Sequence, residues 1–182
     1  MMIRSLDGKS PKIHPTAFIS EAAYIVGDVE IGEGSSIWPG AVIRADAGKI
    51  VIGRFTCIQD NSVVHGDDDV HIGDRVVIGH RVLCHAKTVG DGALIGNGCI
   101  VNDGAEIGEG SLVGSGAMLI ENTKVPAGSM AVGVPGRVRG QVQERHRKLM
   151  ETTTQHYIEK AERFKRQGNL ESEHLGVAGL GY

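Results

Sequence analysis

Three histidines, His65, His80 and His85, lie in the 21-residue stretch HGDDDVHIGDRVVIGHRVLCH (65–85), which holds four of the chain's eight. Neutral imidazole is the commonest metal-ligating side chain, and three of them leave a fourth coordination position open, the donor set of a catalytic zinc site. Arg44, Asp46, Gln59 and Asp60 precede or accompany these rings and offer charges and an amide to orient them or a substrate. Cysteine offers no competing site. Cys57, Cys84 and Cys99 lack CxxC spacing, which argues against a thiolate zinc site or a disulfide framework and makes them small core residues. His14, His71, His146, His156 and His174 read as solvated surface residues.

Whether the three rings meet depends on the scaffold, and the scaffold is a repeat. An aliphatic residue returns every six positions, often followed by Gly, as in IGEGSS (31–36), IGNGCI (95–100) and IGEGSL (107–112). The anchors run Ile13, Ile19, Ile25, Ile31, Ile37, Ile43, Ile52, Ile58, Val64, Ile72, Ile78, Cys84, Val89, Ile95, Val101, Ile107, Val113, Leu119, Val125 and Ala131. The step departs from six in three places: nine at 43→52, eight at 64→72 and five at 84→89. A helix would repeat at three and four, and a hairpin sheet would alternate by two over longer runs. A period of six suits a short strand, with the anchor and the small residue two before it pointing inward, then a tight corner. Three such walls make a coil of about 18 residues, and stacked coils make a parallel β-helix.

On that scaffold Ile43, Val64, Cys84 and Val101 anchor one wall, here the first, so Arg44, His65, His85 and Asn102 form a ladder on its outer surface. His65 and His85 then stand one strand spacing apart, close enough to share a metal. His80 follows Ile78 on the third wall, with Gln59 and Asp60 one coil away, and lies around a corner from His85. Convergence within one chain is therefore hard. If prisms associate about a threefold axis, the third wall of one can face the first wall of the next, and the triad closes between chains. Gly79 is expected to leave room for an approach to His80.

After Ala131 the repeat ends in GVPGRVRG (133–140). The following segment, to about Gln167, is charged and nearly free of Gly and Pro, with Val142, Leu149, Tyr157, Ile158, Ala161 and Phe164 able to share a helix face. The expected organisation is an N-terminal segment (1–12), the β-helix (13–136), a helix folded back along one wall (137–167) and a loosely held tail (168–182). The β-branched Thr152, Thr153 and Thr154 mark a point where the helix could break. With 19 basic and 22 acidic residues, the net charge of −3 argues against nucleic-acid and anionic-membrane partners. The N-terminus has no apolar h-region and no stretch is long and apolar enough to span a bilayer, which predicts a cytoplasmic protein with reduced thiols.

At RAD (44–46), IQDNSVVHG (58–66), IGHRVLCH (78–85) and VPGR (134–137) the sequence resembles the γ-class carbonic anhydrases and their bacterial relatives, over about residues 8–140. The resemblance implies a left-handed β-helix homotrimer with interfacial metal sites, zinc by default, with Fe2+ or Co2+ also suited to three imidazoles. It implies His65, His80 and His85 as metal ligands, Arg44 and Asp60 as a pair bridging subunits, and Asp46 as the partner in Arg-x-Asp. Gln59 would position the reacting water or bicarbonate, and Tyr157 matches a helix tyrosine near the site. The implied activity is that of a carbonate dehydratase, reversible hydration of CO2 to bicarbonate by a metal-bound hydroxide. Ala47 replaces a glutamate found in the most active members, and the short loop Asp67, Asp68, Asp69 stands in for a longer acidic one. Those aspartates fit a solvated turn as well as a proton relay. Two other readings remain open: metal-dependent hydrolysis of a thioester or other acyl compound, and a structural trimer of weak activity. A hexapeptide acyltransferase fits least, since it needs one histidine base and not three.

Overall fold

In the computed structural model, which describes residues 2–168, the repeat closes into a three-walled parallel solenoid of about seven coils with one C-terminal helix. Anchors stack in register. Ile25, Ile43, Val64, Cys84, Val101 and Leu119 pair one above the next on the first wall. Ile13, Ile31, Ile52, Ile72, Val89, Ile107 and Val125 do so on the second. Ile19, Ile37, Ile58, Ile78, Ile95, Val113 and Ala131 complete the third. All are buried except Ile13, which packs against the core from its edge. Side chains alternate along a strand, so a wall can bury one side chain and expose its neighbours. Each fully buried isoleucine contributes about 1.5–3 kcal/mol.

The inward residue two before the anchor is often a hydroxyl, and it stitches coils together. Ser35 Oγ donates to the Gly53 carbonyl at 2.6 Å and accepts the Thr56 N–H at 3.0 Å; Thr56 Oγ1 does the same with Gly73 (2.7 Å) and Val76 (3.0 Å). Ser62 Oγ donates to Gly79 at 2.6 Å and accepts from Val82 at 3.0 Å, which ties both ends of the His80 turn to the core. Buried hydroxyls are tolerable because these bonds replace the water they lose.

Outside the prism the three walls differ. The second wall presents Lys12, Glu30, Val51, His71, Thr88, Glu106 and Lys124, an ion-paired polar ladder. The third is partly covered by α1 (Glu144–Arg166), through Phe18, Trp38, Cys57 and Ala161 with Tyr157 and Phe164 packed against them. The first presents Tyr24, Val42, Val63, Leu83, Ile100 and Met118, an apolar ladder with Leu83 40% and Ile100 38% exposed.

Several boundaries depart from the sequence reading. Residues Arg137–Gln141 form an antiparallel strand on Ser129–Val132 rather than the start of the helix, which begins only at Glu144. The helix runs unbroken through Thr152–Thr154, because Thr153 and Thr154 turn their hydroxyls back to the carbonyls of Leu149 (2.7 Å) and Met150 (3.0 Å). Met150 takes the inward place expected for Leu149, which is 56% exposed. Met2–Arg4 is a strand of the first wall, paired with Tyr24–Val26, so the N-terminal segment belongs to the solenoid. Apart from Gly168 the expected tail, with His174, lies outside the described residues.

Candidate metal centre

The first-wall ladder brings His65 and His85 together. Strand Val42–Ile52 pairs Arg44 beside His65, and Cys84 lies over Val64, so His85 sits one coil further on. His65 Nδ1 and His85 Nε2 face one another 2.5 Å apart. The other nitrogen of each ring is taken: His65 Nε2 by Asp46 Oδ1 at 2.7 Å, and His85 Nδ1 by Asp103 Oδ1. Arg44 pairs with the second oxygen of Asp46. Hydrogen bonding to His65, joined by the Arg44 charge, holds the Asp46 carboxyl below its ordinary range despite some desolvation.

His80 stands apart, at the corner after the third wall. Its Nδ1 lies 3.0 Å from Asp60 Oδ2 and its Nε2 3.2 Å from the Tyr157 hydroxyl. Tyr157 is fixed by its edge-on contact with Trp38 (centroids 5.3 Å), and burial pushes its phenol up to about 12, so it stays a donor across the neutral range. Gln59 is buried and lines a crevice with His80, Leu94, Leu149 and Tyr157. Among the described residues, no three His, Cys, Asp or Glu side chains of one chain converge to hold a metal.

One expectation about this neighbourhood changes. The room left by Gly79 is not an approach path: a Cβ there would lie 2.6 Å from Asn97 Oδ1, the atom that accepts the His80 N–H at 2.9 Å. The glycine lets the next coil hold the His80 turn. Within the chain Arg44 and Asp60 do not meet, since Arg44 pairs with Asp46 and Asp60 with His80. Asp69 is engaged in structure, its Oδ1 accepting the Lys49 N–H at 2.8 Å, while Asp67–Asp69 line a cleft of about 390 Å³ with His85, Lys87 and Asp103. Asp103 is the site residue that sequence reasoning missed. Its signal was available: it follows Asn102, the next rung after His85.

The donor set fits a metal in part. Two imidazole nitrogens face each other with nothing but a shared proton or cation able to serve both. Zinc–nitrogen bonds of about 2.0–2.1 Å at a tetrahedral angle place nitrogens roughly 3.3 Å apart, so the rings would have to part by about 0.8 Å. Two rings are too few for a catalytic His₃ site, which would need a third ring from elsewhere.

A profile described as bacterial transferase hexapeptide (six repeats) matches residues 10–45 and 87–121. A hexapeptide transferase family protein of Anaplasma phagocytophilum superposes with a TM-score of 0.85 at 36% identity, over 90% of this chain and 98% of that one. The chain thus belongs to the hexapeptide-repeat family, whose fold is a left-handed parallel β-helix. Within that class its similarities include carbonic anhydrases. It is 50% identical to the carbonic anhydrase of Geobacillus kaustophilus over 64 residues, 35% of either chain. It is 49% identical to the mitochondrial γ carbonic anhydrase 2 of Arabidopsis thaliana over 57 residues, 31% of this chain and 20% of that one. These matches span about a third or less of the relatives' own length.

Proposed function

We propose that the chain is a γ-type carbonic anhydrase-like enzyme interconverting CO2 and bicarbonate, a homotrimer in which His65 and His85 of one copy and His80 of a neighbour hold a zinc ion. The observation that carries this reading is that every one of the three imidazoles has one ring nitrogen held by an aspartate: His65 by Asp46, His80 by Asp60 and His85 by Asp103. Metal-ligating histidines are held in this way, because the carboxylate sets the tautomer and raises the basicity of the other nitrogen. The donor set also suits Fe2+ and Co2+. When bound, such an ion acts as a Lewis acid that makes water a nucleophile near neutral pH.

The chain's own residues do the rest. Asp46, kept ionised, holds His65 while Arg44 holds Asp46. Tyr157 donates to the nitrogen of His80 that Asp60 leaves free and keeps that ring oriented until a metal competes for it. Gln59, buried beside His80, offers an amide to an oxygen of CO2 or bicarbonate. The apolar first-wall ladder beside His65 and His85 supports assembly, since burying Leu83 and Ile100 against a second copy removes exposed apolar surface and brings in the third imidazole.

The test is metal analysis, sedimentation and stopped-flow CO2 hydration on protein purified without oxygen and again after zinc loading. Leu83→Asp should yield monomers that lose both metal and hydration. A stable, metal-loaded monomer would overturn the trimer. Acyl transfer is the second reading, favoured by the transferase name of the Anaplasma relative, which covers far more of the chain than the carbonic anhydrase matches do. Turnover of acetyl-CoA with an amine acceptor, and none of CO2, would establish it instead.

A further inference from the structure

We infer that Asp103 is a positioning residue that fixes the tautomer of His85; as a statement about a metal centre, this rests on the function proposed above. His65 and His85 present opposite nitrogens to each other, Nδ1 from one and Nε2 from the other, 2.5 Å apart. To offer lone pairs to one cation, the two rings need opposite tautomers: His65 must carry its proton on Nε2 and His85 on Nδ1. Which nitrogen of a neutral imidazole carries the proton is set by the hydrogen bond the other atoms of the ring make. Two separate carboxylates stand at the required atoms. Asp46 accepts from His65 Nε2, and Asp103, one coil below on the opposite side of the pair, accepts from His85 Nδ1.

Asp103 is held for this task by its own corner. Its carbonyl accepts the Asn122 N–H at 2.8 Å, and Gly104 beside it adopts φ +66°, with Asn122 Oδ1 2.4 Å from where a Cβ would stand. The turn is therefore clamped between the coil of His85 and the coil of Asn122. A side chain that is 54% exposed has little other structural work to do there, and its remaining surroundings are the cleft of Asp67, Asp68, Asp69 and Lys87.

The experiment compares the full-length protein with Asp103→Ala and Asp103→Asn. Long-range proton–nitrogen NMR of the metal-free protein should report Nδ1–H on His85 in the parent, a shift towards Nε2–H in Asp103→Ala, and near-parent behaviour in Asp103→Asn, whose amide carbonyl still accepts. Competition with a chromophoric zinc chelator should show affinity about 10–100-fold weaker in Asp103→Ala, recovered to within a few-fold by Asp103→Asn. An unchanged His85 tautomer in Asp103→Ala overturns the inference, as does an equal fall of Tm and affinity in both variants, the mark of a turn that only needs its native residue. A parent protein that binds no zinc, yet shows the tautomer switch, upholds Asp103 and sinks the metal reading.

Discussion

The coils between Ile43 and Val89 and those between Val89 and Ala131 share a core and differ at their corners. In the later coils Gly92, Gly98, Gly104, Gly110, Gly116 and Gly128 take the left-handed turn conformation, with Asn122 the exception. In the earlier ones Asn61, which tolerates it, is joined by Phe55, Arg75 and Arg81, and these three take it at about 1–2 kcal/mol each relative to glycine. The same coils hold all three departures from the sixfold step, and His65, His80 and His85 with them. Regular coils are scaffold. The irregular ones carry strain beside the three histidines, supported from outside by α1 and from inside by Ser62.

The largest break in this comparison should come from the rings. His65→Ala and His80→Ala should each lose zinc and activity, and refolding the two variants together should restore part of both, read as zinc per chain. Mixed trimers that never regain metal would put all the ligands in one chain. Next come the cores. Ile78→Ala and Ile107→Ala remove equivalent buried side chains, and each should cost about 2–5 kcal/mol in denaturant unfolding. Only Ile78→Ala, beneath the His80 turn, should also weaken zinc affinity; equal losses in both would erase the distinction between the two halves.

Corner strain predicts smaller effects of opposite sign. Arg81→Gly should stabilise by about 1 kcal/mol, and Gly98→Ala, which meets no side chain but keeps φ at +68°, should destabilise by about as much. Stability unchanged in both would remove strain from the account. The smallest effect is that of acid. Asp46 and Asp74 are held below the ordinary carboxyl range, by His65 and by Arg54 at 2.7 Å. A carboxyl lowered in the folded state favours folding when ionised, so this contribution is complete above the unfolded value near 3.9 and disappears as pH falls through the folded one. Tm should be flat near neutrality and fall more steeply on acidification for the parent than for Asp74→Asn. Parallel curves would show that the pair contributes nothing.

Much of this was legible because the repeat is one-dimensional. The register of twenty anchors follows from counting, and counting places His65 and His85 on one ladder and His80 around the corner. Gly79 was legible as a place where a side chain cannot go, but not for whom the room is kept, since Asn97 arrives from the next coil. The strand at Arg137–Gln141 was hidden in the Gly- and Pro-containing run that ends the repeat, and only pairing with Ser129–Val132 draws it out.

What the sequence alone determined was the period, the inward face of every coil and the wall on which each of the three imidazoles falls, because a residue's height and wall in a solenoid depend only on its distance along the chain. Tertiary structure decided which aspartate meets which ring, that α1 partly covers the third wall and braces His80 through Tyr157, and that the first wall presents an apolar face among the described residues. Those contacts depend on side-chain direction at corners and on surfaces brought together from far along the chain, 77 residues apart for Tyr157 and His80, and neither is encoded in a local period.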